Sequence, residues 1–203
     1  MGRPSNTAVR RAEIVAGLLS VMARVGYQRA TIPEVARAAG LTPGLVHYHF
    51  RSKHQVLVAL VVHLAEGLRT RLARRLALAG DTPRERLAAL VDAHLALGDD
   101  ADPRAVAAWV VVGTEAVRDA EVRALYQAEV RASLQGLRRL VRACLAADGR
   151  KLSAAPGVAA AILSMIEGAY RLGLSAPDAL PRGFAAPMVR QALEGLLGPR
   201  GRR

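Results

Sequence analysis

Between Thr31 and Leu57 the chain reads TIPEVARAAGLTPGLVHYHFRSKHQVL, and this stretch gathers hydroxyl, imidazole, phenol and ammonium groups at spacings suited to a nucleic acid. Thr31, Thr42, Tyr48 and Lys53 can bond phosphate oxygens. His47 can donate to or accept from a base edge, and Leu45 can touch a thymine methyl. Pro43 and Gly44 open the same short helix, and Gly44 removes a side chain where a helix end would press against a groove. His49 is expected to hydrogen-bond locally or to a phosphate. Lys53 would stand in a first helical turn, against the macrodipole, which favours a phosphate ligand over a stabilising role. His47, His49 and His54 also raise a metal site. Positions i and i+2 of a short helix face apart, however, and no cysteine or acidic ligand is close in sequence, so neither metal nor cofactor is expected.

Those side chains need two short helices and a tight turn to present them. Thr31 can cap the first helix, and Pro33 is tolerated in its first turn, where an N–H would be unpaired anyway. Ile32, Val35, Ala36 and Ala39 repeat at helical spacing, Gly40 supplies a left-handed stop, and Leu41 turns back toward the same core. Thr42 and Pro43 repeat the cap pattern and open the second helix, in which Val46 and Phe50 point inward. A short Gly-containing turn between two such helices is the helix-turn-helix pattern, although a Thr-Pro-Gly turn also joins helices in other all-α proteins. Ser52 caps the helix that follows.

Thr31, Val35-Ala36, Ala39-Gly40-Leu41-Thr42, Gly44, Tyr48-His49-Phe50 and Ser52-Lys53, followed by Leu57, resemble the DNA-binding signature of TetR/AcrR-type transcriptional regulators. The resemblance implies an N-terminal three-helix head and a larger helical body for ligand binding and dimerisation. It also implies that Thr31, Thr42, Tyr48 and Lys53 approach phosphates while Pro43, Gly44, Leu45 and His47 approach bases. His47 stands where the family commonly has tyrosine, so base preference there departs from the family's.

Charge agrees with a polyanionic partner. The chain of 203 residues carries a net +12. Half of that excess lies in residues 1–53, where Arg3, Arg10, Arg11, Arg24, Arg29, Arg37, Arg51 and Lys53 face only Glu13 and Glu34. An arginine-rich coding bias explains part of the arginine scattered through the body, and the N-terminal imbalance less well. Residues 1–8 read as a flexible arm from which Arg3 could reach a minor groove, an unordered tail being the equal alternative. They lack the apolar run of a signal peptide, and no uncharged run approaches membrane-span length, so no membrane partner is expected. The single cysteine, Cys144, suits a reducing cytoplasm and reads as a packed thiol.

The division expected is a helix-turn-helix domain over 1–53 and a helical regulatory and dimerisation domain over 54–203, in an all-α fold. Helix 1 should span about Thr7 to Val25, with Ile14, Leu18, Val21, Met22 and Val25 inward. Helix 4 carries Leu57, Leu60, Val61, Leu64, Leu68 and Leu72 as a continuous stripe and is the natural mechanical link between head and body. Beyond Gly80, punctuation predicts helices from Pro83 to near Gly98, Pro103 to about Val117, Asp119 to Ala147, Pro156 to near Ser175 and roughly Ala186 to Leu197. The last two are apolar on more than one side, with Ala161, Gly168 and Gly195 permitting close approach, and TetR resemblance makes them a homodimer contact.

From about 103 to 197 the layout resembles the choline-responsive BetI-like subgroup. A quaternary ammonium favours an aromatic cage, but the body holds only Trp109, Tyr126, Tyr170 and Phe184. Trp109, Glu115, Tyr126, Met165 and Tyr170 are the candidate ligand-binding residues, each also readable as core, and the effector is left open. The expected function is a ligand-responsive regulator, a dimer on palindromic double-stranded DNA that a small molecule releases. Two other classes compete. An enzyme with a DNA-binding head lacks support, since no phosphate loop, GxSxG elbow or metal-ligand spacing occurs. A nucleoid-type binder would rest on basic charge as well.

Overall fold

The computed structural model describes residues 6–198. Of the arm expected over 1–8, Asn6, Thr7 and Ala8 are helical, whereas residues 1–5, with Arg3, lie outside the described part. Among the described residues there are nine α-helices and no strand. They are α1 (Asn6–Arg29), α2 (Ile32–Ala38), α3 (Pro43–His49), α4 (Lys53–Leu78), α5 (Pro83–Leu95), α6 (Pro103–Glu115), α7 (Ala120–Ala147), α8 (Ala155–Ser175) and α9 (Ala185–Leu197). A 3-10 turn over Leu152–Ala154, which the sequence did not announce, leads into α8.

Local chemistry sets most of these boundaries. Thr31 with Glu34 and Thr82 with Glu85 form reciprocal capping boxes, each with proline in the first turn. Asp102 caps α6, and Asp119 accepts from the Glu121 and Val122 amides at the start of α7. The backbone of α1 breaks at Gly26 (φ 75°, ψ 169°), one residue past the expected end of regular helix.

The chain forms two compact units. Of the described residues, the first holds 6–66 and 102–127, so α6 and the start of α7 pack with the head rather than apart from it. Its core contains Ile14, Leu18, Met22, Val35, Val46, Phe50, Leu57, Leu60, Ala108, Val112 and Val122, with Val25, Trp109 and Tyr126 packed on it. The second holds 67–101 and 128–198. Its core contains Leu87, Leu90, Val91, Leu137, Val141, Cys144, Ile162, Ile166, Val189 and Leu193, joined by partly buried Met165 and Tyr170. Burial pushes the Cys144 thiol up to about 11, so it is a packed, unreactive group.

The stretch Leu152–Ser175 is long and apolar enough to cross a membrane by length and composition. It carries Glu167 and Arg171, and Ala155, Ala159, Ile162, Leu163, Ile166 and Ala169 are buried in the second core.

Several charged groups of the second unit pair with one another. Arg75 and Arg71 converge on Asp100, and the Arg75 hydrogen bond holds that carboxyl well below the usual carboxylate range. Arg84 reaches Asp148 at 2.6 Å, Glu194 at 2.7 Å and the Gly198 carbonyl at 3.0 Å, which ties α5 to the chain around α9.

Candidate nucleic-acid interface

The recognition element is α3, held by an inward edge and free on its outward one. Val46 and Phe50 are 0% and 1% exposed, and Leu41 packs against the same core. Burying side chains of this size contributes about 1.5–3 kcal/mol each. Two glycines make the approach of α2 possible. A Cβ at Gly17 of α1 would lie 2.7 Å from the Val35 carbonyl oxygen, so only glycine lets these helices touch. Gly40 has φ +67°, and beyond it the Leu41 amide donates to the Ala36 carbonyl at 2.9 Å, closing α2 with a left-handed cap.

On the outward edge, Thr42, Pro43, Gly44, His47 and Tyr48 are exposed, and Leu45 and His49 are half-buried. Tyr48 is 80% exposed, its ring set edge-on to His49 at 5.0 Å between centroids. Nothing lies within 4 Å of a Cβ built at Gly44, so packing inside the chain does not require glycine there. The Thr42 hydroxyl oxygen accepts from the Leu45 amide at 3.3 Å, which leaves its proton available to an acceptor outside. The Thr31 hydroxyl instead donates to Glu34 Oε2 at 2.8 Å, and those bonds lower the Glu34 pKa. Thr31 must exchange that partner before it can donate to a phosphate.

Lys53, read from the sequence as a phosphate ligand, is also engaged within the head. Its Nζ donates to the carbonyls of Tyr27 at 3.0 Å, Gln28 at 3.4 Å and Ala30 at 2.9 Å, and it lies 4.4 Å from the Tyr27 ring centroid. An ammonium has three donors, and all are directed at the end of α1. The macrodipole argument concerned only the helix that carries Lys53. The carbonyls that attract it belong to the end of α1 and to Ala30 just after it, distant in sequence.

The sequence reading counted Arg11 only within the basic excess of the head. Its guanidinium lies 4.0 Å from the Phe50 ring centroid, and Nη1 donates to the His49 carbonyl at 2.6 Å. It thereby satisfies the C-terminal end of α3 from α1. No sequence signal marks it, because an arginine on an exposed helix face looks like any other solvated charge. His54, considered for a metal cluster, has its Nε2 2.8 Å from Asp119 Oδ2.

The candidate ligand residues divide between the units. Trp109 and Tyr126 stack in the first, centroids 4.9 Å apart and planes at 32°. Glu115, also in the first, accepts from Gln28 Nε2 at 2.8 Å. Met165 and Tyr170 belong to the second, where the Tyr170 hydroxyl donates to the His94 carbonyl at 3.1 Å and lies 3.0 Å from His94 Nδ1. Burial, and then the charge of Arg71, lowers the His94 pKa to about 4, so the ring is neutral near pH 7. An open cleft of about 530 Å³ in the second unit is lined by Arg74, Arg75, Glu85, Asp92, Asp99 and Asp100 among others, and by none of the five candidates.

Similarity to known proteins matches this geometry. Residues 14–60, which contain the whole helix-turn-helix, match the family described as bacterial regulatory proteins, tetR family. Residues 83–198 match the BetI-type transcriptional repressor, C-terminal, family. The chain belongs to the TetR family. This TetR-family protein is 39% identical over 166 residues to the HTH-type transcriptional regulator BetI of Rhizobium meliloti (strain 1021), covering 80% of this chain and 76% of that one. Its fold is similar to a putative TetR-family transcriptional regulator from Rhodococcus sp., with a TM-score of 0.77 at 20% identity, covering 94% of this chain and 100% of that one. It is also similar to a putative transcriptional regulator from Saccharomonospora viridis in complex with choline, with a TM-score of 0.75 at 23% identity, covering 94% and 96%. The protein is therefore a DNA-binding transcriptional regulator of the BetI type, and not an enzyme.

Proposed function

We propose that this regulator is a cytoplasmic repressor that holds a palindromic operator as a homodimer and leaves it when a small molecule loads the body. The observation that carries the reading is the asymmetry of α3: Val46 and the flanking Phe50 are locked in the core, while Thr42, His47 and Tyr48 stand outward. Gly44, Leu45 and His47, with Pro43, approach base edges. Thr42, Tyr48 and, after exchange of its cap partner, Thr31 grip phosphates, with His49 beside them. Lys53 acts mainly through the turn it pins. Its contact with a phosphate requires it to give up one carbonyl.

Dimerisation is assigned to α8 and α9. Leu172 (49% exposed), Leu174 (41%), Met188 (40%) and Leu196 (39%) are apolar groups that their own unit leaves uncovered on these two helices. A two-fold contact there would present paired recognition helices to half-sites about one turn of DNA, or a multiple of it, apart.

Choline is the first effector to test. The Saccharomonospora viridis neighbour holds it, and the stacked Trp109 and Tyr126 offer π faces of the kind that attract a quaternary ammonium. Glu115, in the same unit as that pair, remains a candidate beside it, and Met165 and Tyr170 remain separate ligand candidates within the second unit. The mechanism is a ligand preference for the released state over the DNA-bound one, transmitted along α4.

Operator selected from random DNA, bound to the protein and titrated with choline, tests these parts separately. Release by choline, together with a dimer in sedimentation, is the expected result. Undiminished operator binding in saturating choline overturns the choline assignment, and a monomer overturns the dimer. A nucleoid-type binder would show no palindrome and would lose all DNA alike as salt rises.

A further inference from the structure

The outer face of α7 carries Arg131, Arg138, Arg139 and Arg142, all exposed. None of their side chains makes a hydrogen bond or ion pair among the described residues, as is also true of Arg74, Arg86, Arg171 and Arg182, whereas Arg69, Arg84 and Arg190 of the same unit pair with Glu129, Asp148 and Asp92. Positions 131, 138 and 142 are two and three turns apart on one side of the helix, a span of about 17 Å, with Arg139 adjoining. No acidic residue occurs from 130 to 147, so nothing on the helix between Glu129 and Asp148 neutralises this stripe. Both flanking carboxylates are already held, by Arg69 and Arg84.

We propose that this face of α7 is a second, sequence-independent contact surface for DNA phosphates, distinct from the helix-turn-helix. The kind of partner follows from what the face contains and what it lacks. None of the large apolar side chains left exposed among the described residues lies on α7. A membrane surface requires an apolar face to insert, and a protein partner requires a desolvated anchor. A polyanion requires neither, and guanidinium groups match phosphate oxygens bidentately. Double-stranded DNA is the polyanion this protein already binds. The face would add affinity for any duplex, raising the regulator's residence on DNA without altering which operator it prefers.

The test uses the full chain, a random-sequence duplex and a salt titration. Each arginine that neutralises a phosphate contributes about 0.9 to the slope of log K against log salt. Replacing all four by glutamine should lower the slope by up to that amount per residue, while the four-lysine variant should keep it. Exposed positions should leave the thermal midpoint unchanged, and single substitutions should lower the slope in steps. The same slope change should occur in a Thr42→Ala/Tyr48→Ala background, since independent sites add. If T42A/Y48A alone changes nothing, the assignment of the head's face fails and this one stands. An unchanged slope in the glutamine variant, or a change that vanishes in the T42A/Y48A background, overturns the proposal. So does equal binding to phosphatidylserine vesicles lost through the same substitutions, because the partner is then a lipid surface.

Discussion

The head and the second unit treat their polar side chains in opposite ways. On α3, Thr42 keeps a free hydroxyl proton, and Tyr48 stands 80% exposed with its phenol outward. In the second unit His94 and Tyr170 bond one another and the backbone in the core, and Arg71, Arg75 and Asp100 form a closed cluster. The first arrangement leaves hydrogen-bonding capacity directed at something outside the chain. The second turns that capacity inward, and the atoms it leaves without a hydrogen-bond partner there, Arg71 Nε, Arg84 Nε and Asp92 Oδ1, are buried rather than directed outside. Binding surface and scaffold can therefore be told apart by where their polar atoms are satisfied. The α7 arginines are the part of the second unit that behaves like the head.

The largest expected effect separates the two cores. Phe50→Ala should remove about 3–5 kcal/mol from the head and abolish DNA binding, while the second unit keeps its helical signal in circular dichroism. A single transition in which both units melt together would break the comparison.

Next comes pH. His94 has its pKa held at about 4 in the fold, against 6.5 ordinarily, by burial and then by Arg71. Between those values the unfolded chain takes up a proton that the folded one refuses. Stability is thus full above about pH 6.5 and falls as the pH drops toward 4, by about 3 kcal/mol in total. Thermal melting from pH 7.5 to 4.5 should show this loss, and His94→Gln should flatten it. An identical profile in the variant would show that His94 is not the buried group that titrates.

Much of the fold was legible in the sequence because helix ends are local. Thr31, Thr42, Thr82 and the prolines after them act within four residues, and each begins a helix where expected. The inward stripe of α1 and the buried Val46 and Phe50 follow equally from spacing. Contacts that span long stretches of chain were not legible. Lys53 finds its carbonyls 23 to 26 residues away, Arg11 reaches His49 across 38, and His94 meets Tyr170 across 76. The packing of residues 102–127 with the head is of the same kind. Periodicity shows that a face is apolar, not which helix covers it.

Two smaller effects follow from those distant contacts. Lys53→Gln should cost about 1–2 kcal/mol of head stability in thermal denaturation, because it releases the end of α1. An unchanged melting temperature with a lower salt slope would restore Lys53 as a phosphate ligand. Arg11→Gln should weaken operator binding roughly fivefold, as about 1 kcal/mol of stacking and hydrogen bonding at α3 is lost. The salt slope should stay as it was, since Arg11 positions the helix; a slope lower by about 0.9 would make Arg11 a phosphate contact instead.

The most direct test of the central claim, that α3 reads with one part of its outward face and grips with another, is selection of operators from random DNA. Wild type, His47→Ala and Tyr48→Ala would be compared under one salt condition. All three should recover a palindrome. His47→Ala should relax the preference at one symmetric pair of positions, by about 1–3 kcal/mol. Tyr48→Ala should weaken every sequence and change none of the preferences. Equal shifts in base preference for both variants, or no palindrome at all, would contradict the account.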